Sequence, residues 1–414
     1  MTRRDIANGF RDSDWVRSLS TIQPKADELL NRPEAEQYRQ GYFHTLREIC
    51  QQPATLLATC ECMMRARDAV KQKLTGIRSL QLTGSGSSEY VGNCVRLPLQ
   101  SELRLSAQTV GGGAILTHGA KALPPERPAL MVSFARSGDS PESVGAVSLL
   151  LEREPAISHL IVTCNPNGKL AETFRTDPKV HVIILDERTN DRSLVMTSSF
   201  SSLVIAARSL GLLDVPDLYR ALCERLSGMV KAVVEDHFGT LARVAAAEFR
   251  RAVFLASGAR FGGAREASLK MLEMTAGRVT TLAESYLGLR HGPMSYVHDD
   301  ALVVCFLSSD PTVRAYETDL IRSLNRKRLG LSKLIVGEDI PTDLLQGEDV
   351  AMECAGFHEL GDDNAVVVDV VVGQVLAFFC CLKEGLHPDS PSQGGVINRV
   401  VESFEIHRPG GKPA

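Results

Sequence analysis

The chain has 414 residues, 44% apolar content and a formal net charge of −4. That length supports two or three domains with cores of their own, and the slightly acidic balance gives no reason to expect nucleic acid or a membrane surface as partner. No uninterrupted apolar run of the ~18 residues needed for a bilayer span is present, and no C-x-x-C pair among the ten cysteines calls for zinc. The first ten residues, MTRRDIANGF, lack the apolar core of a signal peptide. With scattered thiols in apolar runs, this gives the expectation of a protein of the reducing cytoplasm.

Residues 1–50 read as a polar helical arm that includes TLREICQQP. Apolar strands then alternate with helical patterns. Strands are predicted at Leu80–Thr83, Leu103–Val110, Ala129–Phe134, Leu160–Cys164 and Val180–Leu185, with helices at Pro141–Glu152 and Leu170–Phe174. An apolar helix follows Thr197, and a long polar-patterned helix runs from about Val215 to Arg250. The alternation then restarts at VFLASG. A helix is predicted at Gly262–Thr275, strands at Val279–Ala283 and Leu302–Ser308, a helix at Thr312–Arg328 and a strand at Lys333–Val336.

Strands separated by helices imply parallel sheets covered on both faces. The pattern occurs twice, each time opening with a strand that ends in a small-residue turn. The expected architecture is α/β, with two tandem lobes, each a doubly wound parallel sheet. The expected divisions are an arm over 1–50, a first lobe over 51–214, a linker helix and second lobe over 215–384, and an extended tail over 385–414.

The turn LTGSGSSEY, residues 82–90, starts like a dinucleotide-binding loop. That pattern needs a third small residue where Glu89 stands, and an acid closing the next strand, which instead runs into Gly111, Gly112 and Gly113. What remains is a helix N-terminus at Gly86, Ser87 and Ser88. Its free amides suit an anion, although Gly and Ser also serve turn geometry alone. A second turn, SFARSGDSPES, offers Arg136, Ser137 and Ser140, with helix capping by Asp139 or Ser140 as the alternative. A third, MTSSFSS, offers Thr197 and Ser198. Three hydroxyl-rich turns at one sheet edge match the three oxygens of a monophosphate better than capping does.

The helical stretch from Arg265 places Glu266, Lys270 and Glu273 on one face, either as a functional group or as a surface ion-pair ladder. Downstream, LRHGP sets His291 in a constrained turn, where a histidine is often only a structural hydrogen bonder.

GSGSSEY, SFARSGDSPES and LKMLEMTAGRVTTLAESYLGLRHGP together resemble the sugar isomerase (SIS) domain family, over nearly the whole chain. The finer resemblance, carried by TLREICQQP, MTSSF and the terminal GGVINRVV, is to the bacterial galactosamine-6-phosphate deaminase/isomerase subgroup, also described as tagatose-6-phosphate ketose/aldose isomerase. The resemblance implies two five-stranded SIS lobes. It assigns sugar-phosphate binding to Gly86, Ser87, Ser88, Arg136, Ser137 and Ser140, with Thr197 or Ser198 near the sugar. It aligns Glu273 with the proton-shuttling base, Lys270 with a lysine on the same helix turn, and His291 with the ring-opening histidine. In these enzymes that histidine reaches a neighbouring subunit, which implies a homodimer or higher homo-oligomer.

The implied activity is conversion of galactosamine 6-phosphate to tagatose 6-phosphate and ammonia in amino-sugar catabolism, without metal or cofactor. Alternatives are a plain aldose–ketose isomerase, a glucosamine-6-phosphate deaminase, or a sugar-phosphate-binding regulator. The related synthase is set aside, because it needs an N-terminal nucleophilic cysteine and a glutaminase domain, whereas this chain starts MTRRD. Two departures stand out. Arg399 in VINRVV lies where the synthase has a ring-opening lysine, and arginine is not easily deprotonated. Ala135 and Arg136 stand where the synthase has Ser and Gln.

Overall fold

The computed structural model describes residues 14–392 and 394–407. The parts of the predicted arm and tail over 1–13 and 408–414 lie outside the described residues.

Two five-stranded parallel sheets form the frame. The first contains β1 (Ser79–Gly84), β2 (Ser106–Gly111), β3 (Ala129–Ala135), β4 (Ile157–Thr163) and β5 (Val180–Ile184). The second contains β6 (Arg251–Leu255), β7 (Thr280–Glu284), β8 (Ala301–Phe306), β9 (Ser332–Gly337) and β10 (Val350–Glu353). The orders are β2-β1-β3-β4-β5 and, from the opposite edge, β7-β6-β8-β9-β10. Each lobe therefore repeats one topology. Ser79 pairs with both Ser106 and Ala129, and Arg251 pairs with both Thr280 and Ala301. In both lobes the chain reverses direction across the sheet beside the first strand, and the crevice at that switch point is where open α/β sheets bind ligands.

Central strands β1, β3 and β8 are buried at every residue, which explains their continuous apolar runs. Edge strands are partly exposed; β5 and β7 fall where the sequence predicts them, and at β2 and β10 the sequence reading slips. β2 begins at Ser106 instead of Leu103, because helix Ser87–Leu103 runs to Leu103 and ends with Arg104 in the left-handed region at φ 53°. β10, four residues with one buried side chain, has no periodicity to read.

Over its described residues, the predicted arm is four short helices, Asp14–Ile22, Pro24–Leu30, Glu34–Gln40 and Phe43–Cys50. It is not peripheral, since Leu19, Leu46, Ile49 and Cys50 join the same apolar core as both sheets. Among the described residues, one helix, Asp362–Lys383, is long and apolar enough by composition to cross a bilayer, although Asp369 and Gln374 interrupt its apolar run. Its most apolar stretch is 94% buried within the protein, with Asp369 and Gln374 fully covered. It is the central core helix, packed against helix Arg260–Met274 of the second lobe and helix Pro216–Ala245.

Helix Arg260–Met274 also crosses helix Ser87–Leu103 of the first lobe. A Cβ at Gly262 would lie 2.6 Å from the Cys94 amide nitrogen, so glycine there lets the two helices approach. That crossing carries second-lobe side chains to the end of the first sheet.

Candidate active site

A cavity of about 280 Å³ opens at the carboxyl ends of β1 and β3, at the lower end of the range for small-ligand pockets. One wall is the turn after β1. Gly86 sits at φ 57°, a conformation costly for any side chain, and helix Ser87–Leu103 starts immediately after it. Among the described residues, the amides of Gly86 and Ser87 have no protein acceptor. Ser87 and Ser88 line the cavity beside them.

The second wall is the turn after β3, with Ser137, Gly138 and Ser140. Ser140 is the N-cap residue of helix Pro141–Arg153, yet its hydroxyl makes no capping bond. Asp139 instead accepts from the Lys169 amide at 3.0 Å, so neither residue caps that helix and the capping explanation does not hold. Two buried polar atoms of the lining, Ser85 Oγ and Glu142 Oε2, also lack a protein partner. Neither residue stands out in the sequence.

The second lobe supplies Lys270 and Glu273. The Lys270 side chain is 1% exposed. Its ammonium donates to Ser87 Oγ at 3.0 Å and to Glu273 Oε2 at 2.5 Å, and lies 3.2 Å from Glu266 Oε1. This is not the exposed ion-pair ladder that helical spacing allows. Burial pushes the Glu266 carboxyl up to about 7, against the lowering pull of Lys270. Burial works against the charge on Lys270, yet Glu266 and Glu273 hold its pKa above the ordinary lysine value. Glu273, 22% exposed, is the member of the trio that reaches the open space.

Other candidates fall elsewhere. Arg136 lines the cavity, but its guanidinium is already engaged. Nη1 donates to the carbonyls of Ser193, Leu194 and Val195 at 3.0–3.1 Å, and Nη2 to the Arg399 carbonyl at 2.7 Å. It ties together two walls, the 193–195 segment and the tail, and offers little to a phosphate.

Thr197 and Ser198 are buried behind the cavity. The Thr197 amide and the Ser198 hydroxyl both donate to Asp191, which also receives the Ser199 amide and hydroxyl. Asp191 thus caps helix Ser198–Arg208 from a distance, and Leu194 and Met196 face the cavity instead. His291 is exposed and does not line this cavity.

The tail forms the remaining wall through Ile397, Asn398, Arg399 and Val401. Arg399 is pinned, its Nε donating to the Asp191 carbonyl and Nη2 to Asn190 Oδ1, both at 2.7 Å. Beneath this loop lies Glu48 of TLREICQQP. It accepts from the Arg192 amide at 2.5 Å and from the Ser193 hydroxyl. Burial, and then the neighbouring Asp191 charge, push its carboxyl up to about 8.

No protein-family model matches the chain. A Streptomyces coelicolor protein provisionally named D-galactosamine-6-phosphate deaminase AgaS is 34% identical over 374 residues, covering 88% of this chain and 95% of its own. The D-galactosamine-6-phosphate deaminase AgaS of Shewanella sp. strain ANA-3 is 32% identical over 387 residues, covering 92% of this chain and 95% of its own. A crystal structure from Clostridium novyi NT, provisionally named a tagatose-6-phosphate ketose/aldose isomerase, superposes with a TM-score of 0.86 at 31% identity, covering 92% of this chain and 99% of that one. With relatives above 30% identity over nearly their full length on the same two-lobed frame, this chain belongs to the D-galactosamine-6-phosphate deaminase family of SIS-domain proteins.

Proposed function

We propose that this chain converts galactosamine 6-phosphate and water into tagatose 6-phosphate and ammonia. The observation that carries the reading is the Glu273 carboxylate, backed by Lys270 at 2.5 Å and facing two serine turns across one small cavity. The phosphate is held by the hydroxyls of Ser87, Ser88, Ser137 and Ser140 and by the unpaired amides beside them. Those groups donate without adding bulk, and each amide stands where a helix begins.

The ring-opened sugar presents an aldehyde at C1 and an amine at C2. The C2 proton is acidified by the adjacent carbonyl. Glu273 takes it and returns it to C1, which leaves a 2-imino sugar. Water adds to that C=N bond, the C–N bond breaks, and ammonia departs as the C2 ketone forms. A positioned base of this kind contributes ~10²–10⁴-fold. Lys270 keeps a positive charge beside the site of proton transfer while Glu266 anchors it from behind. Arg136 acts in this reading by holding the cavity walls.

His291 is assigned to ring opening from an exposed loop, in the site of a second copy of the chain within a homodimer or larger assembly. The divisions at residues 50, 214 and 384, and a cytoplasmic location, belong to the same reading.

The test is ammonia release from galactosamine 6-phosphate and from glucosamine 6-phosphate, with Glu273→Gln beside the parent chain. Release from the galacto sugar that is lost in the variant is the expected result. Release from the gluco sugar alone overturns the substrate. Release from neither, with sugar phosphate still bound, overturns the deaminase in favour of a plain isomerase or a binding protein.

A further inference from the structure

The second lobe repeats the topology of the first, so it has its own pair of turns at the switch point. The turn after β6, Ser257-Gly258-Ala259, leads into helix Arg260–Met274. Gly258 has φ 59°, matching Gly86 at 57°. The Phe261 amide donates to the Gly258 carbonyl as the Glu89 amide donates to that of Gly86. The turn after β8, Leu307-Ser308-Ser309-Asp310, leads into helix Pro311–Lys327. Two serines again face the N-terminal end of a long helix.

The two lobes differ in what those donors hold. In the first lobe, the amides of Ser137, Gly138 and Ser140 have no acceptor among the described residues. In the second, the amides of the turn after β8 are all taken. The carboxylate of Asp362 accepts from the Ser309 amide at 2.8 Å, the Ser309 hydroxyl at 3.0 Å and the Ser308 hydroxyl. The Ser308 amide donates to Glu317 at 2.7 Å. Arg260, the first residue of its helix, lies with Nη1 3.7 Å from Asp362 and makes a two-pronged pair with the fully buried Asp369. One anionic group thus receives two hydroxyls and an amide at a helix start, with a guanidinium nearby. That donor set recognises an oxyanion.

We infer that the second lobe contains a second oxyanion site, of the class that takes a phosphate group, which the chain keeps closed with its own Asp362 carboxylate. Asp362 comes from the first turn of the core helix Asp362–Lys383, outside the β8 turn that it fills. Its side chain is 21% exposed, so the cradle borders solvent and removing the carboxylate opens it to a small ion. Under the proposed function, the closure leaves the first-lobe cavity as the sugar-phosphate site. It also frees helix Arg260–Met274 to serve the first lobe's cavity from its far end.

The test is phosphate titration by calorimetry of the parent chain and of Asp362→Ser, which keeps a residue suited to a helix start. The variant is expected to bind one phosphate more per chain than the parent. Asp362→Glu, which restores a carboxylate, is expected to return to the parent stoichiometry. Equal stoichiometry in the parent and Asp362→Ser overturns the inference. Should Asp362→Ser fail to fold in chloride, it is refolded in phosphate. Recovery of folded, monodisperse chain supports the site, and failure in both salts overturns it.

Discussion

The Lys270 ammonium of the second lobe donates to the Ser87 hydroxyl of the first at 3.0 Å, so the cavity exists only while the two lobes are packed together. Ser87 opens the helix that follows the turn proposed to bind the phosphate, and Lys270 lies one helical turn before Glu273. In the proposed reaction, the contact sets the distance between the phosphate and Glu273 as base.

Glu273→Gln removes the proton acceptor and keeps the shape. The expected outcome is a kcat lower by ~10²–10⁴-fold with little change in KM, because the phosphate contacts lie elsewhere. Steady-state ammonia assays with galactosamine 6-phosphate check this, and a loss confined to KM contradicts the role.

Lys270→Met leaves two carboxylates on one buried helix face without their cation. Breaking one side of such a buried arrangement costs about 3–5 kcal/mol. Thermal unfolding of the variant should show a large fall in Tm. The fall should be smaller on the acid side of neutrality, where Glu266 takes up a proton and the repulsion with Glu273 is relieved.

Stability should decline as pH rises through neutrality. Glu266 and Glu48 have folded-state pKa values of about 7 and about 8, above their ordinary value of 4.5. The folded chain therefore binds more protons than the unfolded one. The stabilisation is complete below about 4.5 and is lost as pH climbs through 7 and 8. Glu48→Gln should flatten the fall in Tm between about pH 4.5 and 8. A parent curve that rises with pH over this range excludes the assignment.

Arg136→Met deletes the donors that join Ser193, Leu194 and Val195 to the Arg399 carbonyl. We expect faster tryptic cleavage after Arg399, with a rise in KM for the sugar phosphate larger than the fall in kcat. The lost buried hydrogen bonds should cost about 1–3 kcal/mol. Unchanged proteolysis would show that the tail is held by its other contacts alone.

Much of the frame was legible because its signals are local. A fully buried parallel strand is a continuous apolar run, and a strand–turn–helix junction shows its glycines and serines within a few positions. Among the edge strands, β5 and β7 were legible, whereas β2 and β10 were not, since those two are largely exposed and carry no clean period. The role of Arg136 was not legible, because its four acceptors lie 57 to 263 positions away. Asp191 is not legible as a cap, since it lies six residues before Thr197 instead of at the cap position itself.

By itself the sequence determined two α/β halves, the serine turns of the first half, and a helix bearing Glu266, Lys270 and Glu273 on one face. These follow from periodicity and turn chemistry, which act over a few residues. Only the tertiary structure decided which carboxylate faces open space and which is buried. It also turned Arg136 inward, moved Thr197 and Ser198 behind the wall, and closed the second lobe's cradle with Asp362. Those outcomes depend on groups from distant segments competing for the same donors, and burial makes each donor take a partner wherever the fold brings one.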